Sequence, residues 1–264
     1  MTQPVQPKKS LGQHFLRDEN IARKIADSLS LHGDYKYVVE VGPGMGMLTK
    51  YLLERSEFET GVVEIDRDSV AYLKENYPTL EPRIIEGDFM KVRLDGIPAP
   101  FAVIGNFPYN VSSQILFRVL ELRNSVPEVV GMFQKEVARR IATPPGSKEY
   151  GILSVLLQAY YTIEYLFTVN ENVFFPPPKV KSAVIRLKRN QVMALDCNEK
   201  LFFQVVKTAF NQRRKTLRNA LLSMVSGKDV LQEPIFEKRA EQLQVSDFVW
   251  ITRHVEQMNL IIEA

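Results

Sequence analysis

Between about residue 20 and residue 187, short apolar runs alternate with stretches of helical spacing. The runs Tyr37–Val41, Gly61–Ile65, Arg83–Glu86, Phe101–Ile104 and Val129–Phe133 read as strands. Helical spacing covers Ile21–Leu31, Leu48–Leu53, Val70–Tyr77, Ser113–Leu122 and Lys135–Ile141. Strands without polar alternation are buried on both faces, so the pattern predicts a parallel sheet covered by helices. Two further runs, Phe167–Val169 and Ala183–Leu187, flank Phe174-Phe175-Pro176-Pro177-Pro178. They predict a hairpin-like edge with the prolines outside any central strand. Past Lys188-Arg189-Asn190 the pattern turns wholly helical, over Leu201–Phe210, Thr216–Val225 and Ser246–Ile262, with Ser246 as an N-cap. The expected organisation is an α/β domain over residues 1–190 and a small all-helical domain over 191–264.

Composition adds bounds to this picture. The 264 residues are 45% hydrophobic and 25% charged, enough for a sizeable core. The single cysteine, Cys197, excludes an intramolecular disulfide framework and suits a reducing compartment. No apolar run approaches the roughly 18 residues of a membrane span, and Met1–Ser10 is polar without a signal-peptide core, so a cytoplasmic location is expected. The three histidines and Cys197 are scattered, so no metal site is expected. Net charge is only +3, but Lys207, Arg213, Arg214, Lys215 and Arg218 form a local stripe without an acidic residue. Such a stripe is either a phosphate-binding footprint or the solvated face of a helix.

The expected strand ends carry the chemistry. Glu40-Val41-Gly42-Pro43-Gly44-Met45-Gly46 stands between a strand and a helix, where glycines let backbone approach a ligand. It is neither the strict dinucleotide fingerprint nor a P-loop, and alone it is weak evidence, with a structural tight turn as the lesser alternative. Glu64 ends the next strand, 22 residues after Gly42, where a carboxylate accepts ribose hydroxyls. Asp88 ends the one after, able to accept from an adenine amine while Ile65 or Phe89 packs on the ring. Together these describe a nucleoside site without a phosphate cradle, which favours S-adenosylmethionine over NAD.

The fourth strand end reads Asn106-Phe107-Pro108-Tyr109. With the Glu-x-Gly-x-Gly-x-Gly loop, this resembles the adenine-N6 methyltransferases. Leu11 to Leu16, Gln134 to Arg140, Phe174 to Val180 and Ala209 to Thr216 narrow the resemblance to the ribosomal RNA adenine dimethyltransferases of the KsgA type, over nearly the whole chain. The resemblance implies a Rossmann-like class I methyltransferase domain. It further implies S-adenosylmethionine as cofactor, and two adjacent adenosines of 16S rRNA, in an assembling small subunit, as substrate.

Adenine's exocyclic nitrogen is a poor nucleophile, whereas a sulfonium methyl is already a good electrophile. What remains for the protein is positioning and exclusion of water. Asn106 and, as the resemblance implies, the backbone carbonyl of Phe107 accept from the amine; Pro108 fixes the turn and Tyr109 offers a stacking face. Phe174 is expected against the target base and Phe175 in packing. The resemblance places Gln13, His14 and Leu16 over the cofactor, with Glu40, Gly42, Gly44, Glu64, Ile65, Asp88, Phe89 and Asn106. For the RNA, Arg213, Arg214, Lys215 and Arg218 are expected to grip phosphates. Arg139 and Arg140 are either further contacts or a helix surface. Nothing in the sequence demands more than a monomer.

Two other functions stand beside this one. Related antibiotic-resistance methyltransferases act on large-subunit RNA, and some proteins of this fold act by binding alone. The Asn211 to Thr216 run argues against the first, and intact Glu64, Asp88 and Asn106 to Tyr109 argue against the second.

Overall fold

The computed structural model describes residues 5–225 and 231–263. Residues 1–4 of the polar N-terminal stretch, and residues 226–230 and Ala264 of the expected helical domain, lie outside the described residues. The chain divides into two compact units, one of residues 1–138 and 162–189, the other of 139–161 and 190–264.

The first unit is built on a sheet whose strands follow the apolar runs. They are β2 (Tyr37–Val41), β3 (Glu59–Glu64), β4 (Ile84–Glu86), β5 (Phe101–Asn106), β6 (Glu128–Gln134), β7 (Tyr161–Val169) and β9 (Ser182–Arg189), in the order β4-β3-β2-β5-β6-β9-β7. The first five are parallel, Val39 pairing with Gly61 on one side and Val103 on the other. β9 runs antiparallel to β6 and inserts between β6 and β7, so the sheet is mixed. β7 begins at Tyr161 rather than Phe167, because an edge strand leaves Glu164 and Tyr165 in partial contact with solvent and the apolar signal breaks there. A separate pair joins β1 (Phe15–Leu16) to β8 (Phe174–Phe175), with Leu16 opposite Phe174.

Helices α1 (Glu19–Ala26), α2 (Thr49–Leu53), α3 (Arg67–Asn76) and α4 (Ser112–Glu121) belong to this unit, and α5 (Lys135–Ala142) begins in it. Asp18 caps α1 by accepting from the Ile21 N–H at 3.0 Å. The buried Ala22, Ile25 and Ala26 of α1 share a core with Val38, Ile104, Val130 and Val184 of the sheet. The helix stops five residues short of the expected Leu31, which itself stands at φ 57°.

The second unit holds α6 (Ile152–Gln158), α7 (Glu199–Asn211), α8 (Leu217–Ala220) and α9 (Val245–Glu263). Its core includes Tyr150, Phe202, Val206, Phe248 and Val255, and the Phe210 ring lies 6.1 Å from Tyr150 and 6.0 Å from Phe248. The buried Tyr150, Val155 and Leu157 tie residues 139–161 to this unit rather than to the expected domain over 1–190. The expected helix Thr216–Val225 is only α8 followed by a 3-10 turn, Leu222–Met224. α9 already begins at Val245, so Ser246 lies inside it and does not cap it; Asp247 instead accepts from the Gln244 N–H at 3.0 Å. Among the described residues no helix is long and apolar enough to cross a membrane.

Candidate active site

After β2 the chain moves outward through β3 and β4; after β5 it moves outward the other way through β6. The crevice at the carboxyl ends of β2 and β5 is therefore a topological switch point, where open α/β sheets bind ligands. A cleft lies there, lined by Gly42, Gly44, Glu64, Ile65, Asp88, Phe89 and Asn106 to Tyr109, and by Gln13, His14 and Phe15 of the N-terminal arm.

Two glycines shape its floor. Gly42 stands at φ 71° and a Cβ there would meet nothing within 4 Å, so its bare backbone opens onto free space. Gly44 stands at φ 56°, and a Cβ on it would come within 2.8 Å of the Phe15 ring. The Gly44 N–H donates to Glu64 Oε2 at 3.0 Å, and the Asp66 N–H donates to Glu64 Oε1 at 2.9 Å. Burial pushes the Glu64 carboxyl up, and these two donors offset that only in part. Each oxygen keeps a lone pair, and the carboxylate lines the cleft. Asp88 Oδ1 accepts from the Met90 N–H at 3.0 Å, which leaves Oδ2 available, with Lys91 Nζ at 3.8 Å. Ile65 is 50% exposed in the cleft, whereas Phe89 lines it from a buried position.

Asn106 is oriented by the arm. Its Nδ2–H donates to the backbone carbonyl of His14 at 2.9 Å. A carbonyl can only accept, so the amide is fixed with Oδ1 on its other side, without a hydrogen-bond partner among the described residues. Phe107 is buried edge-on against Phe133, at 5.2 Å, so only its backbone serves the cleft. Pro108 closes the turn, its carbonyl accepting from the Val111 N–H at 3.2 Å. The Tyr109 ring stacks on His14 at 5.4 Å and 29°, and its hydroxyl meets Ser182 Oγ at 2.5 Å. His14 Nδ1 lies 2.7 Å from the Pro176 carbonyl, so that nitrogen carries the proton.

Several expected positions fall elsewhere. The Leu16 side chain packs in the core, so any contact from it to a ligand runs through its main chain. Glu40 is buried beneath the loop, outside the cleft lining, accepting from Thr49 Oγ1 at 2.6 Å; burial pushes it up to about 8. Gln13 lines the cleft, but its side chain is engaged at both ends, by the Lys8 N–H at 2.8 Å and by Asp66 Oδ2 at 3.1 Å. The two phenylalanines exchange exposures: Phe174 is 3% exposed in the core, and Phe175 is 40% exposed with the Arg17 guanidinium 4.0 Å from its ring. Neighbouring strand residues point to opposite faces, and pairing with Leu16 turns Phe174 inward. Phe174 thus offers no open ring to a base, which corrects the expectation.

The basic residues of the second unit also separate. Arg213 reaches the Ser147 carbonyl at 3.2 Å and Glu241 at 3.7 Å. Arg218 donates to the Leu231 carbonyl at 2.9 Å and pairs with Glu237 at 2.5 Å. Arg139 pairs with Glu149 at 3.0 Å, and the Arg140 carbonyl accepts from Ser154 Oγ. Arg214 and Lys215 are exposed, without an ion-pair partner among the described residues. Among the described residues no group of three or more His, Cys, Asp or Glu could hold a metal ion.

Ser182, Asp66 and Lys8, which hold the lining residues Tyr109 and Gln13 from outside the cleft, are residues that sequence reasoning missed. Asp66 is buried, and burial alone would push it up; bonds from Lys8 at 2.5 Å and Gln13 outweigh this and hold it low. The Asp66-Arg67-Asp68 opening of α3 is the one sequence signal that marks it, as an N-cap.

Comparison with known proteins identifies the family. The family model for the ribosomal RNA adenine dimethylases matches residues 5–256. The chain is 60% identical over 249 residues to ribosomal RNA small subunit methyltransferase A of Cytophaga hutchinsonii, covering 94% of this chain and 96% of that protein. It is 58% identical over 254 residues to the protein so named in Flavobacterium johnsoniae, covering 96% and 97%. Among solved structures, a dimethyladenosine transferase from Plasmodium falciparum superposes with a TM-score of 0.78 at 26% identity, covering 94% of this chain and 98% of that one. The 23S rRNA methyltransferase ErmE superposes with 0.66 at 26% identity, covering 93% and 99%. The chain therefore belongs to the ribosomal RNA adenine dimethylase family, and is an S-adenosylmethionine-dependent methyltransferase of Rossmann-like class I fold.

Proposed function

We propose that this enzyme dimethylates the N6 amine of two adjacent adenosines in a hairpin of small-subunit rRNA, in the cytoplasm, while the subunit assembles. The orientation of Asn106 carries the reading. An amide whose nitrogen is bound to the His14 carbonyl presents an acceptor to the cleft, and an exocyclic amine is a donor that needs one.

The cleft fits the cofactor. A free backbone edge at Gly42, a buried carboxylate at Glu64, a second at Asp88 and an apolar face at Ile65 match a methionine chain, ribose hydroxyls, an adenine amine and an adenine ring. When bound, S-adenosylmethionine supplies an electrophilic methyl on sulfur. Everything else falls to this chain. Asn106 Oδ1 and the Phe107 carbonyl accept from the amine and favour its tetrahedral form, in which the lone pair leaves conjugation with the ring. Tyr109 holds the base by one face. The proton leaves to solvent after transfer, so no strong base is required. For the second methyl, the monomethylated amine rotates so that its remaining N–H meets one of these acceptors and its lone pair again faces the methyl donor.

In the second unit, Arg214 and Lys215 grip phosphates, while Arg213 and Arg218 shape the surface through their own protein partners. Incubating the protein with labelled S-adenosylmethionine and, separately, undermethylated small subunits, large subunits and protein-free rRNA tests the reading. Label in small-subunit material supports it; label in large subunits alone overturns it.

A further inference from the structure

We infer that Ser182 is a positioning residue for the methyl transfer, fixing through a hydroxyl–hydroxyl bond the tyrosine ring on which the target adenine lies. The inference rests on the role given above to Tyr109 and deepens it. It starts from what the ring needs. A base must be laid in one plane with its nitrogen opposite the methyl, and an error of about 1 Å costs roughly 100-fold in rate. A stacking ring on a loop after a strand meets that demand only if the ring itself cannot swing.

Two contacts stop it, and both come from segments remote in sequence. One face of Tyr109 is covered by the His14 ring, and His14 is tied in turn by Nδ1 to the Pro176 carbonyl. The far end of the ring is held by Ser182 Oγ at 2.5 Å. Ser182 is fully buried and itself immobile: it opens β9, pairs with Gln134 at the end of β6, and follows Lys181, whose carbonyl accepts from the Lys135 N–H at 2.9 Å. The tyrosine at the end of β5 is thus pinned to the sheet two strands away. One ring face and the hydroxyl are held, and the other face is left for a ligand. Burial pushes the Tyr109 phenol up, so the hydroxyl stays protonated and sits where an unpartnered polar group is costly. Removing the serine hydroxyl leaves the phenol orphaned or free to turn toward water, so the ring loses the contact that fixes its stacking plane.

The test is a double-mutant cycle on the full chain with Ser182→Ala, Tyr109→Phe and the double variant, read on undermethylated small subunits. Measured alongside are the equilibrium affinity for S-adenosylmethionine and the thermal midpoint. Ser182→Ala is expected to lower kcat/KM for the RNA substrate by about 5- to 100-fold, the range for orphaning a buried hydroxyl, with cofactor affinity within about twofold. In the Tyr109→Phe background the same substitution should then cost less than about twofold. Ser182→Cys keeps the volume with a weaker hydrogen-bonding group and should fall between, which secures the test if the alanine variant folds poorly. Equal losses in both backgrounds, or a loss that follows cofactor affinity, would overturn the assignment to Ser182. Absence of label with the unsubstituted chain would instead overturn the functional reading on which it rests.

Discussion

Asn106 and the backbone of His14 face each other across 92 residues of sequence, with Nδ2 2.9 Å from the carbonyl oxygen. That contact closes the N-terminal arm over the strand end and decides which end of the amide meets the substrate. An aspartate at position 106 cannot make it, because two acceptors would then oppose each other. Asn106→Asp and Asn106→Ala are each expected to lower turnover at least about 100-fold, the scale for losing one preorganised hydrogen bond to the reacting centre. Cofactor affinity should change far less. Steady-state turnover beside equilibrium cofactor binding checks this; an equal loss in both would make Asn106 a binding residue first.

Glu40 gives a pH signature. Burial holds its carboxyl at about 8 in the folded chain against an ordinary value of 4.5, so the folded state keeps a proton that the unfolded chain releases. Stability from this group is complete below about pH 4.5 and is lost as pH rises toward 8. Glu40→Gln keeps an acceptor for Thr49 and removes the titration. Relative to the unsubstituted chain, the variant should gain on the order of a few kcal/mol between pH 5 and pH 8. Urea unfolding at the two pH values reads the difference, and a constant gap would show that Glu40 does not titrate there.

Glu128 opens β6 and is buried under five hydrogen bonds. They come from the Ser30 N–H to both oxygens, the Ser30 hydroxyl, the His32 N–H, and the Tyr35 hydroxyl at 2.8 Å. Glu128→Ala leaves these donors without partners and should cost about 3–5 kcal/mol, lowering the thermal midpoint by roughly 2–4 °C per kcal/mol. Glu128→Gln retains an acceptor and should cost less. A loss below about 1 kcal/mol for the alanine variant would show that water replaces the carboxylate.

Arg214 and Lys215, like Lys207, are exposed cations of the basic stripe that have no ion-pair partner among the described residues. Replacing both with Ala should lower the slope of log affinity against log salt by about 1.4 to 1.8, one released counterion for each lost phosphate contact. Arg213→Ala and Arg218→Ala should instead lower the thermal midpoint of the protein. Affinity for rRNA across a salt series, with thermal unfolding of the same variants, separates the two pairs.

Much of this site can be read from sequence because each component is local. An apolar run followed by a glycine loop, Glu64, Asp88 or Asn106 marks a strand end directly, and parallel strands bring their ends together. What could not be read depends on side-chain direction or on distant pairing. Phe174 and Phe175 are identical neighbours, and only the pairing with Leu16 decides which one turns inward. Glu40 looks like a loop acid but points beneath the loop, toward Thr49. Ser182 lies 73 residues from Tyr109, in an ordinary strand, with no local pattern to join them. The insertion of β9 between β6 and β7 is likewise a tertiary choice that neighbouring runs do not encode. The basic stripe gives charge without partners, so Arg213 and Arg218 resemble Arg214 until Glu241 and Glu237 are placed.

The most direct test of the whole account is the chemical identity of the product. Undermethylated small subunits incubated with the enzyme and S-adenosylmethionine would be digested to nucleosides and read by mass spectrometry. N6,N6-dimethyladenosine, at two residues per subunit and absent with Asn106→Ala, is the predicted result. Methyl groups on any other atom, or dimethyladenosine undiminished in the Asn106→Ala variant, would contradict the assignment of the cleft.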